Sequence, residues 1–217
     1  MAKTRTYGLG RRAALDTRDH QHLMTAALPD VVPPRPISKT WRLWWKGDQR
    51  DTSQCVGYAW HGLLRALPHL QRDPLPKAIY DQAQPLDEFD DTPPAEGTSV
   101  RAGAKALQAD GKLTAYSWAF DVETMLNWLA FHGPVVLGTT WFNAMFEPDA
   151  TGLVIPSGAE AGGHAYVAIG YNDTTRRVLC QNSWGSDWGL KGRFWLRYED
   201  VNQLIQNGGE CCAPTES

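Results

Sequence analysis

Apolar residues along this chain change their period near residue 134. Over residues 55 to about 67, Val56, Ala59, Trp60, Leu63, Leu64 and Leu67 share one face, which predicts an amphipathic helix stopped by Pro68. Ser99 is placed to cap a second helix that closes at Asp110-Gly111. Asp121 caps a third, in which Val122, Met125, Leu126 and Leu129 line one side before Gly133-Pro134. Beyond that point the pattern turns to β-type runs at 135–140, 164–171, 177–182 and 193–198, separated by Gly, Asn, Asp and Ser, with a last helix over 199–206. The outline is an α+β domain over 39–217, with a helical half of about 39–115 packed against a β-rich half of about 116–217. A cleft between the halves is the expected place for a site.

Residues 1–38 stand apart as an N-terminal extension. They begin polar and basic, with Lys3, Arg5, Arg11, Arg12 and Arg18, and become Pro-rich over 28–36, which favours extended backbone. This arm has three expected fates: to run along the body, to occupy the cleft as a short pro-segment, or to dock on a partner protein. Residues 81–96 are acidic and Pro-containing, as in a surface loop.

Composition narrows the function classes. A net charge of −3 across 217 residues and a pI of about 6.1 give no reason to expect a nucleic-acid partner, and the basic cluster reads as a solvated arm. No run of some 18 apolar residues and no signal-type stretch in residues 1–30 occur, so no membrane partner and a cytoplasmic location are expected. Cys55, Cys180, Cys211 and Cys212 have neither paired metal spacing nor a disulfide framework, which predicts free thiols in a reducing compartment.

Four positions carry candidate chemistry. Cys55 opens the first helix, where unpaired N–H groups and the helix dipole favour a thiolate, the reactive form of cysteine. His164 follows Gly162-Gly163 at the head of an apolar strand, where glycines let another chain approach closely. Asn182, in Gln181-Asn-Ser-Trp-Gly185, offers an amide oxygen that can orient an imidazole without adding charge. Gln49, six positions before Cys55, offers an amide donor for an oxyanion beside the Cys55 N–H.

The order Gln–Cys–His–Asn, with glycines before the histidine and Asn182-Ser-Trp-Gly185 at the end, resembles the papain family of cysteine peptidases over roughly residues 40–200. The resemblance implies a papain-like fold, with a helical subdomain against a β-barrel-like subdomain and the active site in the cleft. It implies an endopeptidase that uses Cys55 as nucleophile, His164 as base, Asn182 as orienter and Gln49 as oxyanion donor, on polypeptide substrates and with no metal or cofactor. Trp184 resembles the family's shielding tryptophan. Glu96-Gly-Thr-Ser99 resembles its substrate-backbone ledge, with Gly97 as the expected hydrogen-bonding position. Gly138 resembles the floor of the pocket for the residue two before the cleaved bond, and with Thr98 in place of an aromatic wall a medium to large apolar side chain is expected there.

There are departures. Thr52-Ser-Gln-Cys-Val56 replaces the usual Cys-Gly-Ser-Cys-Trp, and Gly163 stands where many members carry aspartate. Cys55 is closer in sequence to His164 and Asn182 than the roughly 130–150 residues of papain-type enzymes, which implies trimmed loops and an open cleft. The family's long inhibitory propeptide does not fit within residues 1–38. Two rival readings are a silent papain-like binding module and a Cys/His amidase acting on cell-wall peptides.

Overall fold

The computed structural model describes residues 6–13, 16–91 and 95–215. The Lys3 and Arg5 part of the basic cluster and the Thr92–Pro94 part of the acidic loop lie outside the described residues. Five α-helices of the described residues run α1 (Cys55–Arg65), α2 (Pro76–Ala83), α3 (Val100–Ala109), α4 (Val122–Phe131) and α5 (Tyr198–Gln206). The strands are β1 (Ser38–Thr40), β2 (Ala115–Trp118), β3 (Val135–Phe142), β4 (Glu160–Asn172), β5 (Arg177–Gln181), β6 (Arg193–Arg197) and β7 (Glu210–Thr215).

The two expected caps form. Ser99 Oγ accepts the Ala102 N–H at 3.0 Å, and the Asp121 carboxylate accepts the Thr124 N–H at 2.8 Å. Helix α2, with Pro76 in its first turn, and strands β1, β2 and β7 were not anticipated. Strand β4 starts four residues earlier than its apolar run, because Glu160–Gly163 pair with Thr140–Phe142 of β3. His164 therefore sits inside a strand rather than at its head.

The strands form one antiparallel sheet in the order β2-β7-β3-β4-β5-β6, with β1 added along the second part of β4. Successive strand residues face opposite sides, and this parity sorts the core. Leu137, Tyr166, Ala168, Cys180 and Cys211 join α4 and α5 on one face, with Met125, Leu126, Leu129, Leu204 and Ile205. Val136, Ala165, Val167, Ile169 and Cys212 join α1 and α3 on the other, with Val56, Trp60, Leu63 and Leu107. The sheet is covered on both faces at its centre, so β4 beyond Gly163 and β5 read as continuous buried runs, whereas β6 alternates. The same parity sends Cys211 and Cys212 to opposite faces, and all four cysteines are free and buried.

Candidate active site

His164 shares its parity with Tyr166 and so lies on the aromatic side of the sheet. Trp184 stacks on its ring at 4.6 Å and 25°, and Trp141 meets it edge-on at 5.0 Å. Both indoles are fully buried, so they hold the imidazole by packing. Asn182 follows the end of β5. Its Oδ1 accepts the Ser183 N–H at 2.7 Å and lies 2.8 Å from His164 Nε2. An oxygen that already accepts one N–H must accept the second, so Nε2 carries a hydrogen. The neutral ring then has Nδ1 as its basic nitrogen, and that atom is buried with no hydrogen-bond partner.

Cys55 begins α1, with Ala165 of β4 in the same core cluster. Burial pushes its thiol up to about 12, while backbone hydrogen bonds from Ala165 and Val56 and the backbone and charge of Arg11 pull the other way. Burial also lowers His164 to about 4, opposed by its bond to Asn182. Both shifts favour the uncharged form of the group. Gln49 is locked from both ends. Its Oε1 accepts the Ser183 hydroxyl at 2.6 Å, its N–H donates to the Ser183 carbonyl at 2.7 Å, and its Nε2 donates to Thr52 O at 2.7 Å. Ser183 thus ties Gln49 to Asn182.

The burial of Cys55 has a visible cause: the extension runs through the cleft. Tyr7 stacks on Trp184 at 4.7 Å. The Gly8 carbonyl accepts hydrogen bonds from Gln49 Nε2 at 3.2 Å and Trp184 Nε1 at 3.1 Å. Gly10 and Arg11 N–H both donate to Gly163 O, at 2.9 and 3.0 Å. Thr98 N–H donates to Gly10 O and Arg12 N–H to Thr98 O, both at 2.9 Å, making a parallel bridge. Arg12 then lies over the Phe89 ring at 3.7 Å and pairs with Asp91.

Two glycines make this path available. A Cβ on Gly10 would fall 2.2 Å from Ser53 O, and one on Gly163 would fall 2.0 Å from Arg11 O. A side chain at 163 would therefore collide with the arm in this position. The next anchor is Arg11, whose side chain passes over Gly138 and ends 2.8 Å from the Glu210 carboxylate and 2.6 Å from Gly208 O.

The expected site residues thus line one path, with two corrections. Gly97, the expected ledge position, is bonded away from the arm: its N–H donates to the Tyr80 hydroxyl and its carbonyl accepts from Gln84, both at 2.9 Å. It is Thr98 whose backbone bonds the arm, while its side chain turns to Asp87. The pocket over Gly138 is not apolar throughout, because Val100 forms one side but Glu210 supplies a buried carboxylate. Glu210 was missed for a plain reason: it opens β7, whose pairing with β3 sets Glu210 opposite Gly138, and no local pattern announces that register. Among the described residues no group of His, Cys, Asp and Glu could hold a metal ion. Nor is any helix among them long and apolar enough to cross a membrane.

The sequence profile described as papain family cysteine protease matches residues 87–212, which is more than half of the chain and includes His164, Asn182 and Trp184. The chain belongs to the papain family of cysteine proteases. The solved structure of xylellain, a cysteine protease from Xylella fastidiosa, superposes with a TM-score of 0.73 at 19% identity, covering 100% of both chains. The bromelain protease of Ananas comosus, solved with the E64 inhibitor, gives 0.63 at 15% identity over 84% of this chain and 100% of that one. These two likenesses show the papain-like fold. An uncharacterized peptidase C1-like protein of Acanthamoeba polyphaga mimivirus is 40% identical over 73 residues, 31% of this chain and 24% of that protein. The chain spans about a quarter to a third of the length of the curated relatives it matches.

Proposed function

We propose that this chain is a cysteine endopeptidase whose N-terminal arm is a built-in blocker of its own cleft. The observation that carries the peptidase reading is the oriented His164–Asn182 pair, covered by Trp184, beside a cysteine at the start of α1 and a locked Gln49 amide. In the open state His164 Nδ1 takes the thiol proton, and the helix N-terminus and imidazolium favour the thiolate. Sulfur adds to the peptide carbonyl. The tetrahedral oxyanion is held by Gln49 Nε2 and the Cys55 N–H. The imidazolium protonates the leaving amine, the C–N bond breaks, and a thioester remains. Water, deprotonated by His164, adds to the thioester carbonyl. Collapse releases the carboxylic acid, and the departing thiolate again pairs with the imidazolium.

The arm's polarity supports its role as a blocker rather than a substrate. In the papain-like reading, the pocket over Gly138 receives a residue N-terminal to the cleaved bond. In the arm the order is opposite: Gly8 lies at Gln49 and the later residue Arg11 lies over Gly138. The Gly8 carbonyl is also shared between Gln49 and Trp184, rather than between Gln49 and the Cys55 N–H. A chain so placed occupies the cleft without presenting a carbonyl to both oxyanion donors. The free, buried thiols support a reducing compartment such as the cytoplasm.

The test is product analysis of a peptide library by mass spectrometry, with Cys55→Ala as control. Cleavage that persists in Cys55→Ala would sink the assignment. Products appear only after the arm is displaced if the blocker reading holds.

A further inference from the structure

Asn182 orients His164, yet only one end of its own amide is held. Oδ1 serves both the Ser183 N–H and His164 Nε2, while Nδ2 is buried with no hydrogen-bond partner among the described residues. The aim of Oδ1 therefore depends on where the Asn182 backbone sits, and that backbone is clamped on both sides. Its N–H donates to Gly192 O at 2.9 Å. Its carbonyl accepts from Gln181 Nε2 at 2.9 Å, and the same Nε2 donates to Gly192 O at 2.8 Å. At the other end of the Gln181 amide, Oε1 accepts from Arg193 Nε at 3.2 Å. Gln181 is 3% exposed and closes β5, opposite Val167 of β4 and Arg193 of β6. A primary amide suits this place, because one nitrogen carries two donors for two carbonyls and the oxygen meets a guanidinium. Gly192 makes room for it: its φ is 88°, and a Cβ there would lie 3.0 Å from Gln181 Nε2.

We propose that Gln181 is a positioning residue of this peptidase, whose amide holds the Asn182 peptide so that Oδ1 stays aimed at His164 Nε2. This rests on the peptidase reading above. Gln181 touches neither the imidazole nor the cleft, and it acts on the reaction through Asn182. Hydrogen bonds weaken steeply as their angle closes toward ~120°, so a modest rotation of the Asn182 peptide loosens its bond to the ring. The ring does not follow, because Trp141 and Trp184 hold it where it is. A loosened bond acts on the chemistry in two ways. It releases the tautomer that leaves Nδ1 free to take the thiol proton. It also removes a partner that favours the imidazolium.

The experiment uses the full chain carrying Gly10→Val to displace the arm, with active sites counted by a peptidyl epoxide label on Cys55. Turnover is read on the faster of two fluorogenic amides, Phe-Arg and Arg-Arg. Gln181→Met keeps the length of the side chain and removes its hydrogen bonds. It should lower kcat per labelled site about tenfold, the scale of a small misplacement combined with a lost hydrogen bond, and leave KM nearly unchanged. The alkaline fall of kcat/KM should move to lower pH, because the bond that favours the imidazolium is weakened. In an Asn182→Ala background the same change should have no further effect on kcat, since the group it positions is gone. Gln181→Glu, which keeps the shape and the bond to Arg193 but loses the donors, should behave as Gln181→Met does and replaces it if that variant does not melt cooperatively. Unchanged kcat and pH profile, or losses that multiply in the double variant, overturn the inference and leave the peptidase reading standing. Loss of cooperative melting in both variants makes Gln181 a residue of the fold alone and overturns it too. Absence of both labelling and turnover in a Gly10→Val protein whose melting is cooperative overturns the peptidase reading and the inference with it.

Discussion

The two walls of the cleft are held in different ways. On the His164 side, Trp141, Trp184, Trp188 and Phe194 pack edge-to-face beneath the sheet, and the His164–Asn182 bond is complete. That wall is preorganised by its own core. The arm touches both walls, stacking Tyr7 on Trp184 and bonding Gly163 on the His164 side. On the Cys55 side, however, the loop that carries Gln49 and Ser53 is itself covered by the arm, which bonds to Arg50 and Gln49 there. Burial raises the Cys55 thiol, while the arm's Arg11 pulls the other way. One wall is held by its own core; under the proposed blocker reading, the other takes a state that the arm sets.

Mutations can break this contrast at either wall. The largest effect is expected from Cys55→Ala, which should remove turnover and epoxide labelling altogether, a loss of about 10⁴ or more in kcat. Gln49→Ala removes one oxyanion donor and should lower kcat by about 10²–10³ in arm-displaced protein, with circular dichroism unchanged. On the arm, Gly10→Val places a side chain against Ser53 O and should raise the rate of Cys55 alkylation by at least about tenfold, the equivalent of 1.4 kcal/mol of lost closure. Equal alkylation rates in wild type and Gly10→Val would show that the arm does not control the thiol, and the contrast between the walls would fail.

The smallest effect is a pH dependence. Burial pushes Glu210 up to about 7, opposed by Arg11 and Arg101 and aided by Glu88. A carboxyl raised in the folded state adds stability that is fully present below its ordinary value near 4.5 and lost as pH rises through about 7. The melting temperature of wild type relative to Glu210→Gln should therefore improve as pH falls from about 8 to about 4.5, by a few degrees on the scale of ~1 kcal/mol. A difference that is flat with pH would place Glu210 in a solvated environment and weaken the case for its pocket.

Legibility in the sequence followed locality. Ser99 and Asp121 announce their helices because a cap and the N–H it satisfies lie within three residues. His164 and Asn182 were readable because each sits in a short segment of specific composition, and the structure brings them to 2.8 Å. At the expected ledge it is Thr98 rather than Gly97 whose backbone bonds the arm, because Tyr80 and Gln84 capture Gly97. Helix α2 escaped because its apolar stripe is short, with only Ile79, Tyr80 and Ala83 buried.

The residue types of the reaction, the helix that Cys55 opens and the strand run behind His164 were determined by the sequence itself, since each depends on spacing over a few residues. The pocket that joins Arg11, Gly138 and Glu210, and the arm's passage over Cys55, were decided only by the tertiary structure. Those positions meet through the β3–β7 register and through hydrogen bonds between segments far apart in the chain. A charge in an extension and a carboxylate at a strand's edge carry no local mark of each other; burial in a common pocket is what makes them a pair.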